Sequence, residues 1–196
     1  MRLKNSTFHP FRIYCAEGVI FMDEGNLRLV PYDRTAAVRY AQKWAYGRNP
    51  AFYDYELIGG DCTNFASQCV YAGSGVMNYT REFGWYYIDA NNKAPAWTGV
   101  EYFYNFMTRP EPTIGPVAQA VSISQMDLGD VVQLSFDGES WNHSPVVVRL
   151  LRKPALQPSD VLIAAHSYDS DNRPLSSYDY RAIRFLHFVG VRKPVR

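Results

Sequence analysis

The chain has 196 residues, with 20 basic and 19 acidic side chains and a formal net charge of +1 at pH 7. This length favours one domain with a substantial core, and the interspersed charges give no electrostatic footprint for nucleic acid or an anionic membrane. No run of about 18 apolar residues is present, which argues against a membrane-spanning helix. We therefore expect no nucleic acid partner and no membrane insertion, while the oligomeric state stays open.

The amino-terminal residues are basic, but Pro10, Arg12 and Glu17 interrupt the apolar core that a signal peptide would need. The printed sequence therefore predicts no export signal. An intracellular location, release by lysis or a dedicated route, and cleavage from a longer precursor all stay open.

Residues 1–30 predict a β-hairpin arm at the edge of the domain. Two β-prone segments are followed by Gly25-Asn26 and a third β-prone segment. We interpret residues 31–196 as the single main domain.

Three helices are predicted in the first half of the chain. The first has Asp33 as N-cap and an apolar face at i, i+3, i+4, i+7 spacing, formed by Ala37, Tyr40, Ala41 and Trp44. The second begins at or beside Cys62 and stops at Gly73. The third follows a capping-box pattern made by Thr98 and Glu101.

The remaining segments are predicted to be irregular or β. Residues 74–96 form a long irregular connection, and three prolines close the helical half. Residues 130–136 and 144–151 then predict a hairpin, and residues 161–166 and 182–191 predict two further strands. Helices first and an antiparallel sheet second indicate an α+β fold.

Cys62 is the candidate nucleophile. It follows Gly59-Gly60-Asp61 at a predicted helix start, where unpaired N–H groups and the helix dipole favour a thiolate. The backbone N–H of Cys62 is a natural oxyanion donor. A helical cysteine is more often a small buried apolar residue, and that is our interpretation of Cys69.

Thiol-based acyl transfer also needs an imidazole and a polar group that orients it. His143, at the start of a predicted strand, is the candidate general base and acid. His166, at the end of another, competes with Asp169 for the third position. The competing interpretations are a loop histidine for His143 and, for His166, one that satisfies a backbone carbonyl.

A cysteine and two histidines could instead hold zinc. The sequence offers no CxxC or HxxxH pair to anchor such a site. We therefore predict no metal and no cofactor, with zinc kept as a minor alternative.

An ordered series of motifs runs from about Tyr32 to about Asp171. Its members are Tyr32-Asp33-Arg34, Trp44-Ala45, Asn49-Pro50, Gly59-Gly60-Asp61-Cys62-Thr63-Asn64-Phe65, Ser67-Gln68-Cys69, Gly129-Asp130-Val131, Asn142-His143-Ser144 and Ala165-His166-Ser167. In this order they resemble the bacterial putative amidase-domain family, a relative of the NlpC-type and CHAP peptidoglycan hydrolases in the papain-like clan.

The resemblance implies a papain-like, NlpC-type core, with the nucleophile helix packed on an antiparallel sheet. Carried over by position, Cys62 would be the nucleophile, His143 the base and acid, and His166 the third polar group. Asp61 would recognise the free amine of a stem peptide or would simply cap the helix. Tyr53 or Tyr55 would lie near the oxyanion.

The leading hypothesis is a cysteine amidase or peptidase that cleaves an amide bond through a thioester, on cell-wall peptide. One alternative is a non-catalytic module that grips glycan or peptide through its aromatic residues, Trp85, Tyr86, Tyr87, Trp97 and Trp141. Another is an acyltransferase that uses the same residues. The substrate, the scissile bond and the compartment stay open.

Overall fold

The computed structural model describes residues 15–16, 19–20 and 27–195 and shows a mixed α+β fold built on an antiparallel sheet. The helices are α1 (Arg34–Trp44), α2 (Cys62–Ser74), α3 (Pro95–Thr98) and α4 (Val100–Met107). The strands are β1 (Cys15–Ala16), β2 (Val19–Ile20), β3 (Leu27–Val30), β4 (Tyr87–Asp89), β5 (Asn92–Lys93), β6 (Gly115–Val121), β7 (Val131–Ser135), β8 (Val146–Leu150), β9 (Val161–Ala165), β10 (Ser170–Pro174) and β11 (Ala182–Pro194).

The main sheet has seven strands, six of them in the order β10-β9-β8-β7-β11-β3, and β6 also pairs with β11. All of these pairings are antiparallel. The long strand β11 pairs with β7 through its first residues and with β3 through its last. It therefore ties the carboxyl end of the described chain to Leu27–Val30.

Much of the predicted arm lies outside the described residues. Within it, β1 and β2 pair with each other, and Leu27–Val30 is an edge strand of the main sheet. In the part of the chain that is described, no helix is long and apolar enough to cross a bilayer.

Two apolar cores lie on the two faces of the sheet, because successive strand residues point to opposite sides. Val131 and Val146 pack with the helices. Val132 and Val147 pack into the second core with Leu175 and Tyr178.

Helix α2 is enclosed on nearly all sides. Apart from Tyr71 and Ala72, every residue from Cys62 to Ser74 is buried. Its approach runs through Gly59 and Gly60, whose φ angles are 117° and 94°, values that side chains other than glycine rarely adopt. These two glycines let the chain turn into the helix so that Cys62 is its first residue.

The helix starts were predicted with mixed success. The side chain of Asp33 caps α1 by accepting from the N–H of Ala36 at 2.9 Å, as predicted. The predicted capping box is wrong, because Gly99 is the N-cap of α4 and no side chain caps that helix. Helix α2 ends at Ser74, one residue beyond the predicted stop at Gly73, with Gly75 as its left-handed cap.

The structure corrects the prediction for residues 74–96 and the proline segment. Residues 74–96 contain the short pair β4 and β5 and a bridge between Asn78 and Trp85. The proline segment runs into strand β6, where Pro116 is tolerated because β6 pairs along only one edge.

Replacing Gly73 by alanine should destabilise the packing of α2 on the turn before α1. A Cβ there would lie 2.4 Å from Cε2 of Tyr32 and 2.8 Å from the carbonyl oxygen of Asp33. Tyr32 cannot easily move, because it is buried and its hydroxyl donates to the carbonyl of Gly129 at 3.2 Å. We expect the free energy of unfolding to fall by about 3 kcal/mol, measured by urea denaturation.

Gly47→Ala is the matched control. The nearest atom to its added Cβ would be Cε3 of Trp44 at 3.8 Å, an ordinary contact. Its free energy of unfolding should stay within about 0.5 kcal/mol of the parent protein. Equal effects of the two substitutions would contradict the assigned close packing.

Candidate active site

The thiol of Cys62 lies against the backbone on both sides of His143. Its sulfur donates to the carbonyl of Asn142 at 3.7 Å, and the backbone N–H of Ser144 also interacts with the sulfur. The hydroxyl of Thr63, next along α2, lies 3.0 Å from that of Ser144. These contacts join the start of α2 to the segment that leads into β8.

The thiol is not the preformed thiolate that the helix position suggested. Cys62 is buried, and burial raises the pKa of its thiol. Hydrogen bonds from Thr63 and from the Ser144 N–H lower that pKa, but burial outweighs them. The S–H donation to Asn142 is consistent with a protonated thiol.

His143 is fixed by strand pairing just before β8. It forms an isolated bridge with Leu134, whose N–H donates to the His143 carbonyl at 3.0 Å. Its Nε2 lies 3.2 Å from the hydroxyl of Tyr178. The side chain is buried, and Phe136 is tilted against it at 6.2 Å between ring centres.

The imidazole of His143 is uncharged at neutral pH. Burial, helped by the nearby Arg173 guanidinium, lowers the pKa of His143 from 6.5 to about 4. In this structure the sulfur of Cys62 is hydrogen-bonded to the Asn142 carbonyl and not to the ring of His143. Once the two side chains meet, a neutral imidazole and a neutral thiol are suited to general-base catalysis, in which the proton moves as the sulfur attacks.

The buried His143 should make stability depend on pH. In the unfolded chain His143 binds a proton below pH 6.5, whereas in the folded protein it does so only near pH 4. The free energy of unfolding should therefore fall as pH drops from about 6.5 towards 4, by at most about 3 kcal/mol from this group. Urea denaturation across this range measures the slope.

The matched variant is His143→Gln, which cannot gain a proton. Its stability should fall less steeply than that of the parent protein between pH 6.5 and about 4. Equal slopes would contradict an uncharged, buried His143.

Asp61, which directly precedes the proposed nucleophile, forms a buried polar pair with His166. Nδ1 of His166 lies 2.5 Å from Oδ2 of Asp61, and its Nε2 lies 2.8 Å from the carbonyl oxygen of Trp44. Phe65 stacks on the imidazole at 4.0 Å between ring centres. Both side chains are 1% exposed, so the pair joins the start of α2, the end of α1 and the end of β9 in the interior.

These contacts determine how many protons the pair holds. The Trp44 carbonyl can only accept, so Nε2 must donate, and the short contact on Nδ1 needs a second proton. Oδ1 of Asp61 also accepts from the N–H of Tyr55 at 2.9 Å and from Nδ2 of Asn64 at 2.8 Å. The pair is therefore joined by a proton shared between Nδ1 of His166 and Oδ2 of Asp61, and two further donors hold Oδ1.

This arrangement revises the predicted role of Asp61. Asp61 is at the N-cap position of α2, but its side chain makes no capping hydrogen bond. Its carboxylate is fully buried and occupied by Tyr55, Asn64 and His166, so it is not presented to a substrate amine.

The two candidates for the third position make their hydrogen bonds elsewhere. Both ring nitrogens of His166 are occupied by Asp61 and Trp44. Asp169 makes a bidentate pair with Arg48 at 2.9 and 3.1 Å. Neither contacts the ring of His143 by a hydrogen bond, so a catalytic role for His166 beside His143 stays a prediction.

The aromatic candidates differ in their accessibility. Trp85 is fully buried and donates to Ser67 at 2.9 Å, so it belongs to the core and cannot grip a substrate. Trp141 is partly exposed beneath the guanidinium of Arg184. Tyr53 is 48% exposed, whereas Tyr55 is 7% exposed and donates its hydroxyl to the carbonyl of Ala90.

The backbone N–H of Cys62 makes no hydrogen bond to another residue that the structure describes. An N–H without a partner at the first residue of a helix is the kind of donor that an oxyanion needs, and this role of the Cys62 N–H stays a prediction. Within the described ranges, no three His, Cys, Asp or Glu side chains cluster as metal ligands would.

Two contacts of the site were missed in the sequence. Tyr178 lies in a polar loop whose composition gives no sign that its hydroxyl meets His143. The Asn142 carbonyl belongs to the backbone and leaves no sequence signal. Only the Asn142-His143-Ser144 motif marked this segment as functional.

Comparison with known proteins places these residues in a family. Residues 31–189 match the family described as the putative amidase domain. A Bacillus subtilis (strain 168) protein with the name Uncharacterized protein YhbB is 32% identical over 168 residues, which are 82% of this chain and 51% of that protein. The chain thus spans about half the length of that relative. No solved structure matches the chain.

The matched range contains Cys62, His143 and His166. The description of the family indicates a hydrolase that acts on amide C–N bonds. On this match, the chain belongs to the putative amidase domain family.

Proposed function

We propose that this protein is a cysteine amidase or peptidase in which Cys62 is the nucleophile and His143 the general base and acid. The observation that carries the proposal is the Cys62 thiol held against the backbone on either side of a buried, neutral His143. The free N–H of Cys62 supplies a donor for the oxyanion.

The first half of the reaction forms a thioester. The sulfur attacks the substrate carbonyl while its proton passes to the imidazole, and the carbonyl oxygen becomes an oxyanion near the Cys62 N–H. The tetrahedral intermediate collapses, the C–N bond breaks, and the imidazolium gives its proton to the leaving amine. The acyl group is then bound to Cys62.

The second half of the reaction releases the acyl group. His143 takes a proton from water, the resulting hydroxide equivalent attacks the thioester, and the C–S bond breaks. The sulfur recovers the proton as the carboxylic acid leaves. Before attack, the thiol must turn from the Asn142 carbonyl towards the imidazole.

We propose bacterial cell-wall peptide as the substrate. The support is the resemblance of the Cys62 and His143 motifs to NlpC-type and CHAP peptidoglycan hydrolases, together with an α+β fold in which the helix that begins at Cys62 packs with an antiparallel sheet. The partly exposed Tyr53 and Trp141 are the remaining aromatic candidates for substrate contact.

The binding-module alternative is weakened by burial. Trp85 and Trp97, two of the aromatic residues on which it depended, are fully buried in the helical core. Such side chains cannot contact a glycan without opening the fold.

Mass spectrometry of purified cell wall digested by the protein tests the proposal. New carboxyl and amino ends at one peptide bond would identify the scissile bond and the substrate together. Protein alkylated at Cys62 is the control and should release nothing. Release of the same fragments by alkylated protein, or no fragments from the active protein, would contradict this function. Adding an amine acceptor distinguishes an acyltransferase, which would make a new amide.

A further inference from the structure

Tyr178 is the polar side chain that meets the ring of His143. Its hydroxyl lies 3.2 Å from Nε2, and the two rings are 5.3 Å apart at an angle of 49°. Among the described residues, no other side chain forms a hydrogen bond with this imidazole. The contact leaves the other ring nitrogen, Nδ1, without a side-chain partner.

Tyr178 is held firmly in place. It is 9% exposed and packs in the second core. The guanidinium of Arg173 lies 3.8 Å above its ring, and Arg173 is itself anchored on Ser177, donating to the hydroxyl at 2.7 Å. A phenol fixed on both sides can define the orientation of the imidazole that it contacts.

We propose that Tyr178 is a positioning residue that accepts a hydrogen bond from Nε2–H of His143 and so keeps the Nδ1 lone pair free for the Cys62 thiol. The expected effect on catalysis rests on the proposed function. The tautomer of His143 does not, because it is a property of the free protein. A neutral imidazole carries one proton, and a hydroxyl can either donate or accept. Where the Tyr178 hydroxyl accepts, that proton lies on Nε2, and Nδ1 is left as the base.

A hydroxyl suits both protonation states of His143. When Nδ1 takes the proton from sulfur, Nε2–H still donates, and the oxygen of Tyr178 continues to accept without any rearrangement. Unlike a carboxylate, a neutral phenol adds no negative charge that would favour the imidazolium before attack. This agrees with the neutral His143 of the free protein.

The first test is the tautomer of His143, read from the imidazole nitrogen-15 resonances of the free protein at neutral pH. We expect a protonated Nε2 and an unprotonated Nδ1 in the parent protein. A predominant Nδ1–H form would overturn the proposal, and this measurement needs neither a variant nor a substrate.

The second test is Tyr178→Phe, which keeps the ring beneath Arg173 and removes only the hydroxyl. We expect a mixed tautomer and a kcat reduced about tenfold with KM little changed, since one hydrogen bond to the base is lost. Tyr180→Phe, two residues away and partly buried, is the control and should change neither. An unchanged tautomer in folded Tyr178→Phe would overturn the proposal.

The two proposals fail in different ways. If Cys62 proves dispensable for amide hydrolysis while Tyr178→Phe still mixes the tautomers, the proposed function fails and the positioning role stands. If Cys62 is essential and Tyr178→Phe alters neither the tautomer nor kcat, only the role of Tyr178 fails.

Discussion

Replacing Cys62 by alanine is expected to abolish amide hydrolysis while leaving the fold intact. The thiol is the only group proposed to bond covalently to the acyl carbon, so no side chain can replace it. We expect kcat to fall by roughly 10⁴-fold or more, as for nucleophile deletions in other acyl-transfer enzymes. Cys62→Ser should be similarly impaired, because an alcohol is a far weaker nucleophile than a thiol at neutral pH. Initial rates on cell-wall fragments measure the effect.

Cys69→Ala is the matched control for this change. Cys69 lies on the same helix and is fully buried in the helical core. Its loss should lower the free energy of unfolding by about 1 kcal/mol while kcat stays within about twofold. A folded Cys62→Ser protein with full activity would show that the nucleophile is assigned wrongly.

Breaking the Asp61–His166 pair is expected to have the largest effect on stability. Asp61→Ala leaves the Tyr55 N–H, the Asn64 amide and Nδ1 of His166 without their acceptor. His166→Phe keeps a ring against Phe65 but removes the hydrogen-bond partner of Oδ2 on the buried Asp61 side chain. Each should lower the free energy of unfolding by about 3–5 kcal/mol, measured by urea denaturation.

A double-mutant cycle separates the pair from simple loss of packing. The double variant Asp61→Ala/His166→Phe should cost less than the sum of the two single changes by about 1–3 kcal/mol. Asp61→Asn should be milder than Asp61→Ala, because its oxygen can still accept from Tyr55 and Asn64 while its amide donates to Nδ1. Additive single effects would contradict the coupled pair.

Asp169→Ala is the control for charge loss at this side of the protein. Asp169 pairs with Arg48, and their side chains are 34% and 26% exposed. Because a partly exposed ion pair contributes about 0–1 kcal/mol, the free energy of unfolding should change little. If Asp169→Ala lowered the free energy of unfolding as much as Asp61→Ala does, the loss in Asp61→Ala would be attributed to the charges around Arg48 and not to the Asp61–His166 pair.

Much of the fold could be predicted because local signals agreed with the packing. Asp33 caps α1 as its sequence position predicted, Cys62 begins α2, and the hairpin of β7 and β8 follows the β-prone runs. Strand β6 was missed because Pro116 within it, and Pro110 and Pro112 before it, resemble a terminator, and only its partner β11 makes it a strand. Non-local pairing of this kind leaves little trace in a short window of sequence.

The parts of the candidate site that lie in sequence motifs were predicted. The contacts that form only when the chain folds were missed. The sequence predicted that Cys62 and the Asn142-His143-Ser144 segment belong to one site, and the structure brings them into contact. It did not predict that His166 pairs with Asp61, because a histidine at a strand end can face either of two sides. Tyr178 was missed because its loop must fold back from β10 before the hydroxyl can meet His143.

The burial of α2 also bears on how easily the segment around the proposed nucleophile unfolds locally. A helix buried on nearly all sides has few ways to open by itself, so its amide hydrogens beyond the first turn should exchange only through global unfolding. We therefore expect the body of the helix that carries Cys62 to be among the slowest-exchanging segments of the chain. Heating should consequently eliminate activity together with the cooperative unfolding transition, with no earlier phase in which the site melts alone.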